Sequence, residues 1–255
     1  MAYVPLCSPF HPGSLFLILA LGSSASQSQG TATPPPLADL VKLQTSLADL
    51  KRPMVWVITG DSITQGASHL GRERSYPELL QERVRWELKR RRDLFINSAI
   101  SGETTTGLLA DLDWRVLQFR PAVVSIMIGM NNSVHGPGGR DKFEAELHDT
   151  IKRVRAAGAI PILHRTNPID DQNPGARTRA DLPDYNGRIE RVAQSTQAIL
   201  VDHWRYWREN RPDPAALREW LDDPIHPNGA GHRQFAIELF RALGCYDARA
   251  RSCQP

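Results

Sequence analysis

Short apolar runs alternate with amphipathic helical patterns along most of this chain. That alternation limits the fold more than any other feature. The runs cover residues 54–59, 94–99, 123–128, 160–164 and 198–201, and each has the length of a buried strand. Between them the apolar spacing predicts helices over 76–92, 104–119, 142–157 and 184–197, with a last helix over 230–243. The first of these helices opens with Ser75-Tyr76-Pro77-Glu78, a capping box with proline in the first turn. Strands that lack a polar face need cover on both sides, so the sheet is expected to be parallel. Right-handed crossovers then give a three-layer α/β/α, flavodoxin-like, doubly wound domain with one strand per run. The 255 residues suffice for one such domain, and a net charge of +3 gives no reason to expect nucleic acid. The basic run Lys89-Arg90-Arg91-Arg92 is read as a solvated helix end.

In sheets of this kind the working site lies beyond the carboxyl ends of the strands. The first run is followed by Gly60-Asp61-Ser62-Ile63-Thr64, and Gly102 lies where the chain turns after the second. The third leads into Gly129-Met130-Asn131-Asn132, and Asp223-Pro224-Ile225-His226 stands just before the last helix. Taken alone, Gly-Asp-Ser is also an ordinary turn with an N-cap. The four constellations together suit acyl transfer. Ser62 is the candidate nucleophile, His226 the candidate base and acid, and Asp223 the carboxylate that orients the imidazole. The N–H of Ser62, the N–H of Gly102 and the Asn131 amide are the candidate oxyanion donors.

These blocks resemble the SGNH, or GDSL, hydrolases in order and spacing over most of residues 54–243. The resemblance implies a flavodoxin-like fold, a metal-free and cofactor-free Ser-His-Asp mechanism, and ester substrates. It also implies that Ser62, Gly102 and Asn131 form the oxyanion hole. The chain departs from the family at Asn132, where Gly-x-Asn-Asp has its acid. Asn131 itself is intact, so catalysis is expected to survive.

Other polar residues have plainer readings. Asp61 is expected to cap the helix behind Ser62. Asp202-His203 is read as structural, with the two side chains on opposite faces of a strand. The spacing of His226, His232 and Asp223 fits no zinc pattern. His164 is either a pocket-lining or a core histidine. His69 and His135 are candidate substrate contacts. The six tryptophans are expected mostly in the core.

Residues 15–22 form a short apolar stretch followed by small residues, the form of a secretory signal, although no Lys or Arg precedes it. Residues 1–25 are therefore expected to be removed, leaving no membrane span. Residues 26–50 read as a linker and an N-terminal helix, 51–244 as the hydrolase domain and 245–255 as a tail. Loss of the signal removes Cys7, and a Cys245–Cys253 bridge is expected in the tail.

The loops 65–74, 133–140 and 165–181 border the expected site and are polar, which favours small acyl groups on a polar alcohol. The expectation is a secreted esterase acting on acetyl esters of a small molecule or a carbohydrate. The residues leave open a lipase, lysophospholipase or arylesterase, acyl transfer to an alcohol, and a non-catalytic binding protein on the same scaffold.

Overall fold

The computed structural model describes residues 37–254 apart from residue 67. The expected signal sequence and linker lie outside the described residues. The sheet has five parallel strands: β1 (Val55–Gly60), β2 (Leu94–Asn97), β3 (Val123–Met127), β4 (Ile160–Arg165) and β5 (Ile199–Asp202). Their order is β2-β1-β3-β4-β5, so the winding reverses between β1 and β3. This is the flavodoxin-like order, and its switch point is where such sheets bind ligands. The fold is the α/β architecture expected from the alternation.

Each strand points alternate side chains to opposite faces, and two cores result. Trp56, Ile58, Val123, Met127 and Ile162 pack on one face. Leu43 of α1 (Ala38–Ala48), Leu80 of α3 (Tyr76–Glu82) and Phe235 of α10 (Gly229–Ala242) cover them. Val57, Val124, Ile126 and Leu163 pack on the other face. There the cover comes from α4 (Thr105–Ala110), α5 (Leu112–Arg115), α6 (Arg140–Ala156) and α7 (Leu182–Thr196). A short α2 (Ser62–Gln65) follows β1 directly. The capping box is present: Glu78 Oε2 accepts from the Ser75 N–H at 2.7 Å and from its hydroxyl at 2.7 Å.

Two expected helices are broken, and each segment holds a buried arginine. The segment from Tyr76 runs as α-helix only to Glu82, then as π-helix over Arg83–Glu87. Arg90 is not solvated but 3% exposed. Its guanidinium donates to the carbonyls of Ser46, Asp49 and Arg52 and to both oxygens of Asp93. Those partners lie on α1 and its following turn, so Arg90 ties the N-terminal helix to the sheet. The expected helix over 104–119 is three short pieces, α4, α5 and a 3-10 turn at Leu117–Phe119. Arg115, 5% exposed, turns inward to the Ser98 carbonyl and to Glu103.

Several further expectations are corrected. His203 is not on a strand. It opens α8 (His203–Asn210), and Asp202 caps that helix by accepting from the Arg205 N–H at 3.0 Å. A small α9 (Pro214–Arg218) follows. Cys245 and Cys253 are free thiols. Polar bonds hold the tail instead: Arg83 donates to the Cys245 carbonyl, and Glu87 accepts from the Ser252 N–H at 3.0 Å. Trp56, Trp207 and Trp220 are buried and Trp204 is half-buried, but Trp86 and Trp114 are exposed. No helix among the described residues is long and apolar enough to cross a membrane.

Candidate active site

The close approach of β1 to β3 sets the position of Ser62. A side chain at Gly60 would place its Cβ 2.1 Å from the Met127 carbonyl oxygen, so only glycine lets β1 end there. The chain then turns into α2. Asp61 caps it, its Oδ1 accepting from the Ile63 N–H at 3.0 Å. Ser62 is the first residue of α2, so its N–H has no intrahelical acceptor.

Ser62 Oγ lies 2.9 Å from His226 Nε2, and His226 Nδ1 lies 2.8 Å from Asp223 Oδ2. Asp223 Oδ1 also accepts from the N–H groups of Ile225 and His226, at 2.8 and 2.7 Å. These bonds make a closed loop that fixes the carboxylate. With Nδ1 donating to Asp223, Nε2 is left as an acceptor for the serine proton. Burial depresses the His226 pKa, more than Asp223 raises it, and the net result is below 6.5. The imidazole is therefore neutral at pH 7. Burial acts to raise the Asp223 pKa, but the N–H and imidazole bonds outweigh it and hold the group ionised.

Gly102 has φ of 78°, the left-handed region, and its N–H has no acceptor among the described residues. A Cβ there would meet open space, and the position is exposed. Asn131 follows β3, and its Nδ2 donates to the Glu103 carbonyl at 3.0 Å. One amide proton is thus anchored to the loop that carries Gly102, and the other has no acceptor among the described residues. Asn132, where the family has its acid, is buried and ties the same two loops. Its Oδ1 accepts from the Thr105 N–H at 3.2 Å, and its Nδ2 donates to Thr105 Oγ1 at 2.9 Å.

Asp61 is fully buried directly behind Ser62, and burial pushes its pKa up to about 7 against the Ile63 N–H bond and the charge of Arg179. His164 is a core residue. Its Nε2 is 2.7 Å from Ser125 Oγ, and its Nδ1 is 2.9 Å from His203 Nε2. His232 is also buried, its Nδ1 accepting from the Tyr76 N–H at 3.2 Å. His135 is exposed.

Neither the stacking of His69, expected only as a substrate contact, nor the presence of Arg179 at the site is marked by residue spacing. His69 does not simply border the cleft but stacks on His226. Arg179, from the 3-10 turn Pro174–Arg179, brings Nη2 to 3.5 Å from Asn131 Oδ1. The arginine content of the 165–181 loop was the available signal. Among the described residues His69, Asp223 and His226 are the one group whose ligand atoms lie within 4.8 Å of one another. Both ring nitrogens of His226 are already engaged, so an ion there would have to break a bond to Asp223 or Ser62.

The model of the GDSL-like Lipase/Acylhydrolase family matches residues 58–234. An acetylxylan esterase of Geobacillus stearothermophilus is 30% identical over 169 residues, covering 61% of this chain and 74% of that protein. Thioesterase 1/protease 1/lysophospholipase L1 of Escherichia coli (strain K12) is 25% identical over 173 residues, covering 68% of this chain and 74% of that protein. Among solved structures, the hydrolase LAE5 from the metagenome of Lake Arreo, Spain, superposes with a TM-score of 0.62 at 26% identity. That match covers 76% of this chain and 96% of LAE5. The match over most of the sheet and both ends of the Ser62–His226 pairing assigns the chain: it belongs to the GDSL-like lipase/acylhydrolase family and is a carboxylic ester hydrolase.

Proposed function

We propose that the chain is an exported esterase that removes short acyl groups, acetate foremost, from a carbohydrate alcohol, with Ser62, His226 and Asp223 as its triad. The observation that carries this reading is the unbroken path from Ser62 Oγ to His226 at 2.9 Å and on to Asp223 at 2.8 Å. Ser62 Oγ attacks the ester carbonyl as its proton passes to His226 Nε2. Asp223 stabilises the imidazolium. The oxyanion meets the N–H groups of Ser62 and Gly102 and the second Asn131 amide proton. His226 then protonates the leaving alcohol. A water, deprotonated by the same nitrogen, releases the acid and restores Ser62.

The preference for a small acyl group rests on the polar loops around the site and on the relative named as an acetylxylan esterase. A second reading, hydrolysis of longer acyl esters, is favoured by exposed Ile100 and Val134 beside the candidate donors and by the relative named as a lysophospholipase. A para-nitrophenyl ester series separates the two. Acetate is expected to exceed octanoate in kcat/KM, and the reverse order overturns the short-acyl assignment. Export rests on residues 1–25, which the N-terminal sequence of the mature protein tests: a start at residue 1 contradicts it.

A further inference from the structure

Arg179 joins the neighbourhood of Ser62 to a second cleft. Its guanidinium is half-buried and forms no ion pair among the described residues. Its Nε is buried without a partner, and Nη2 faces Asn131 Oδ1 at 3.5 Å. The same side chain walls a cleft of about 370 Å³. Trp204, Arg208, Arg211, Asp171 and Asp213 also line it.

Three arginines and two aspartates bring their side chains to this cleft. Arg208 lies over the Trp204 ring, 5.5 Å from its centroid, and has no carboxylate partner among the described residues. Arg211 is 3.5 Å from Glu219 and so is partly neutralised. Asp213 Oδ1 accepts from the Ala216 N–H at 2.9 Å. Asp223 and Asp61 attract Arg179 from the Ser62 side, and burial weakens the part of Asp61 by raising its pKa to about 7. Arg179 and Arg208 are the guanidinium groups here without a carboxylate bond among the described residues; they share the concave space with the half-exposed Trp204 indole and the Asp171 carboxylate, and Arg179 links it to Asn131. A planar guanidinium matches a carboxylate or phosphate with two parallel bonds, and an indole face covers the C–H face of a sugar ring.

The geometry points to this cleft as the subsite for the alcohol half of the ester, and to an alcohol that carries an anionic group, with Arg179 as the residue that reads it. This inference rests on the proposed esterase reading and adds the charge of the substrate to it. Arg179 is poised to hold the anion of a sugar whose acetylated hydroxyl points at Ser62, with Arg208 and Trp204 flanking the ring.

The test compares kcat/KM for a mono-O-acetyl methyl glucuronoside with that for its uronamide, which has the same ring and ester without the charge. The carboxylate is expected to be preferred by about tenfold or more, and the preference should shrink in high salt. In Arg179→Gln the ratio is expected to fall to within about threefold, while Arg179→Lys keeps part of it. The ratio is measured within each variant, so a general loss of activity does not disturb it. A wild-type ratio near one, or a ratio unchanged in Arg179→Gln, overturns the proposal.

If the variants do not fold, inhibition of the wild type decides. Glucuronate or glucose 6-phosphate should compete with para-nitrophenyl acetate at least about tenfold more tightly than glucose. Which of the two competes better distinguishes a carboxylate from a phosphate substrate, and equal inhibition by all three overturns the proposal. Turnover of para-nitrophenyl acetate without any charge preference removes this inference alone. No turnover of any ester removes the esterase reading with it.

Discussion

His69 lies flat on His226, with ring centroids 3.9 Å apart and planes 7° from parallel. Its Nδ1 is 2.8 Å from Asp222 Oδ2 and 3.8 Å from Asp223 Oδ2. Two Asp–His pairs therefore stand side by side, one of them ending on Ser62. The stack holds the His226 ring in the plane that faces the serine. Any positive charge on His69 opposes protonation of His226, in the same direction as burial.

Removing His69 should therefore move the acid limb of the pH profile. His226 must be neutral to accept the Ser62 proton, and its pKa in the folded protein is below 6.5. The wild-type limb of kcat/KM is expected below pH 6.5. In His69→Gln one lowering influence is gone and the limb shifts to higher pH. Activity at pH 6 should then fall more than activity at pH 8. A profile that does not move, measured with para-nitrophenyl acetate, contradicts this role.

Asn132 is fitted to its neighbours rather than a defect in the block. Thr105 Oγ1 already donates to Glu146 Oε2 at 2.7 Å, so it can only accept from position 132. An asparagine donates to it, whereas a carboxylate would face it without a proton between them. Asn132→Asp is expected to destabilise the protein by about 1–3 kcal/mol. Pairing it with Glu146→Gln, which frees the Thr105 hydroxyl to turn, should recover part of the loss. Urea denaturation of the two variants and the double mutant checks this coupling.

Arg90 is expected to matter for stability far from any chemistry. It is buried and holds carbonyls of the α1 segment together with Asp93. Arg90→Met leaves the Asp93 carboxylate buried without its cation, and a loss of about 3–5 kcal/mol is expected. Arg90→Met with Asp93→Asn should lose less. Thermal unfolding of both gives the answer.

The buried histidines make the fold sensitive to acid. Burial depresses His164 and His232 to about 3, and His203 well below its ordinary value. Such groups contribute stability above the unfolded pKa near 6.5, and that stability drains as the pH falls toward the folded values. Asp61 works in the opposite direction. Its folded pKa of about 7 makes its contribution fullest below the unfolded value of 3.8 and removes it as the pH rises through 7. Three histidines outweigh one aspartate, so about 2–3 kcal/mol per pH unit should be lost below pH 6. A urea midpoint equal at pH 7 and pH 5 contradicts this balance.

The strands and the four polar blocks were legible because they rest on local pattern. A β-branched run ending in Gly60 must stop where it meets β3, and Asp223-Pro224-Ile225-His226 carries its orienting carboxylate within its own loop. The helix breaks were not legible, and the buried arginines in those segments have remote partners. Arg90 and Arg115 look like surface cations until α1 and the Glu103 loop are brought against them. His203 read as a strand residue because nothing local marks Asp202 as a cap. The stacking of His69 on His226 joins positions far apart in the chain, and no spacing rule announces it. The free Cys245 and Cys253 show the same limit: two nearby thiols say nothing of the polar bonds that already hold the tail.

The proposed nucleophile is the Ser62 hydroxyl, activated by His226. Incubation with a serine-directed fluorophosphonate followed by peptide mass spectrometry tests it directly. A single adduct on Ser62 is expected, absent from Ser62→Ala and slowed by orders of magnitude in His226→Ala. An adduct on another residue, or undiminished ester turnover by Ser62→Ala, would contradict it.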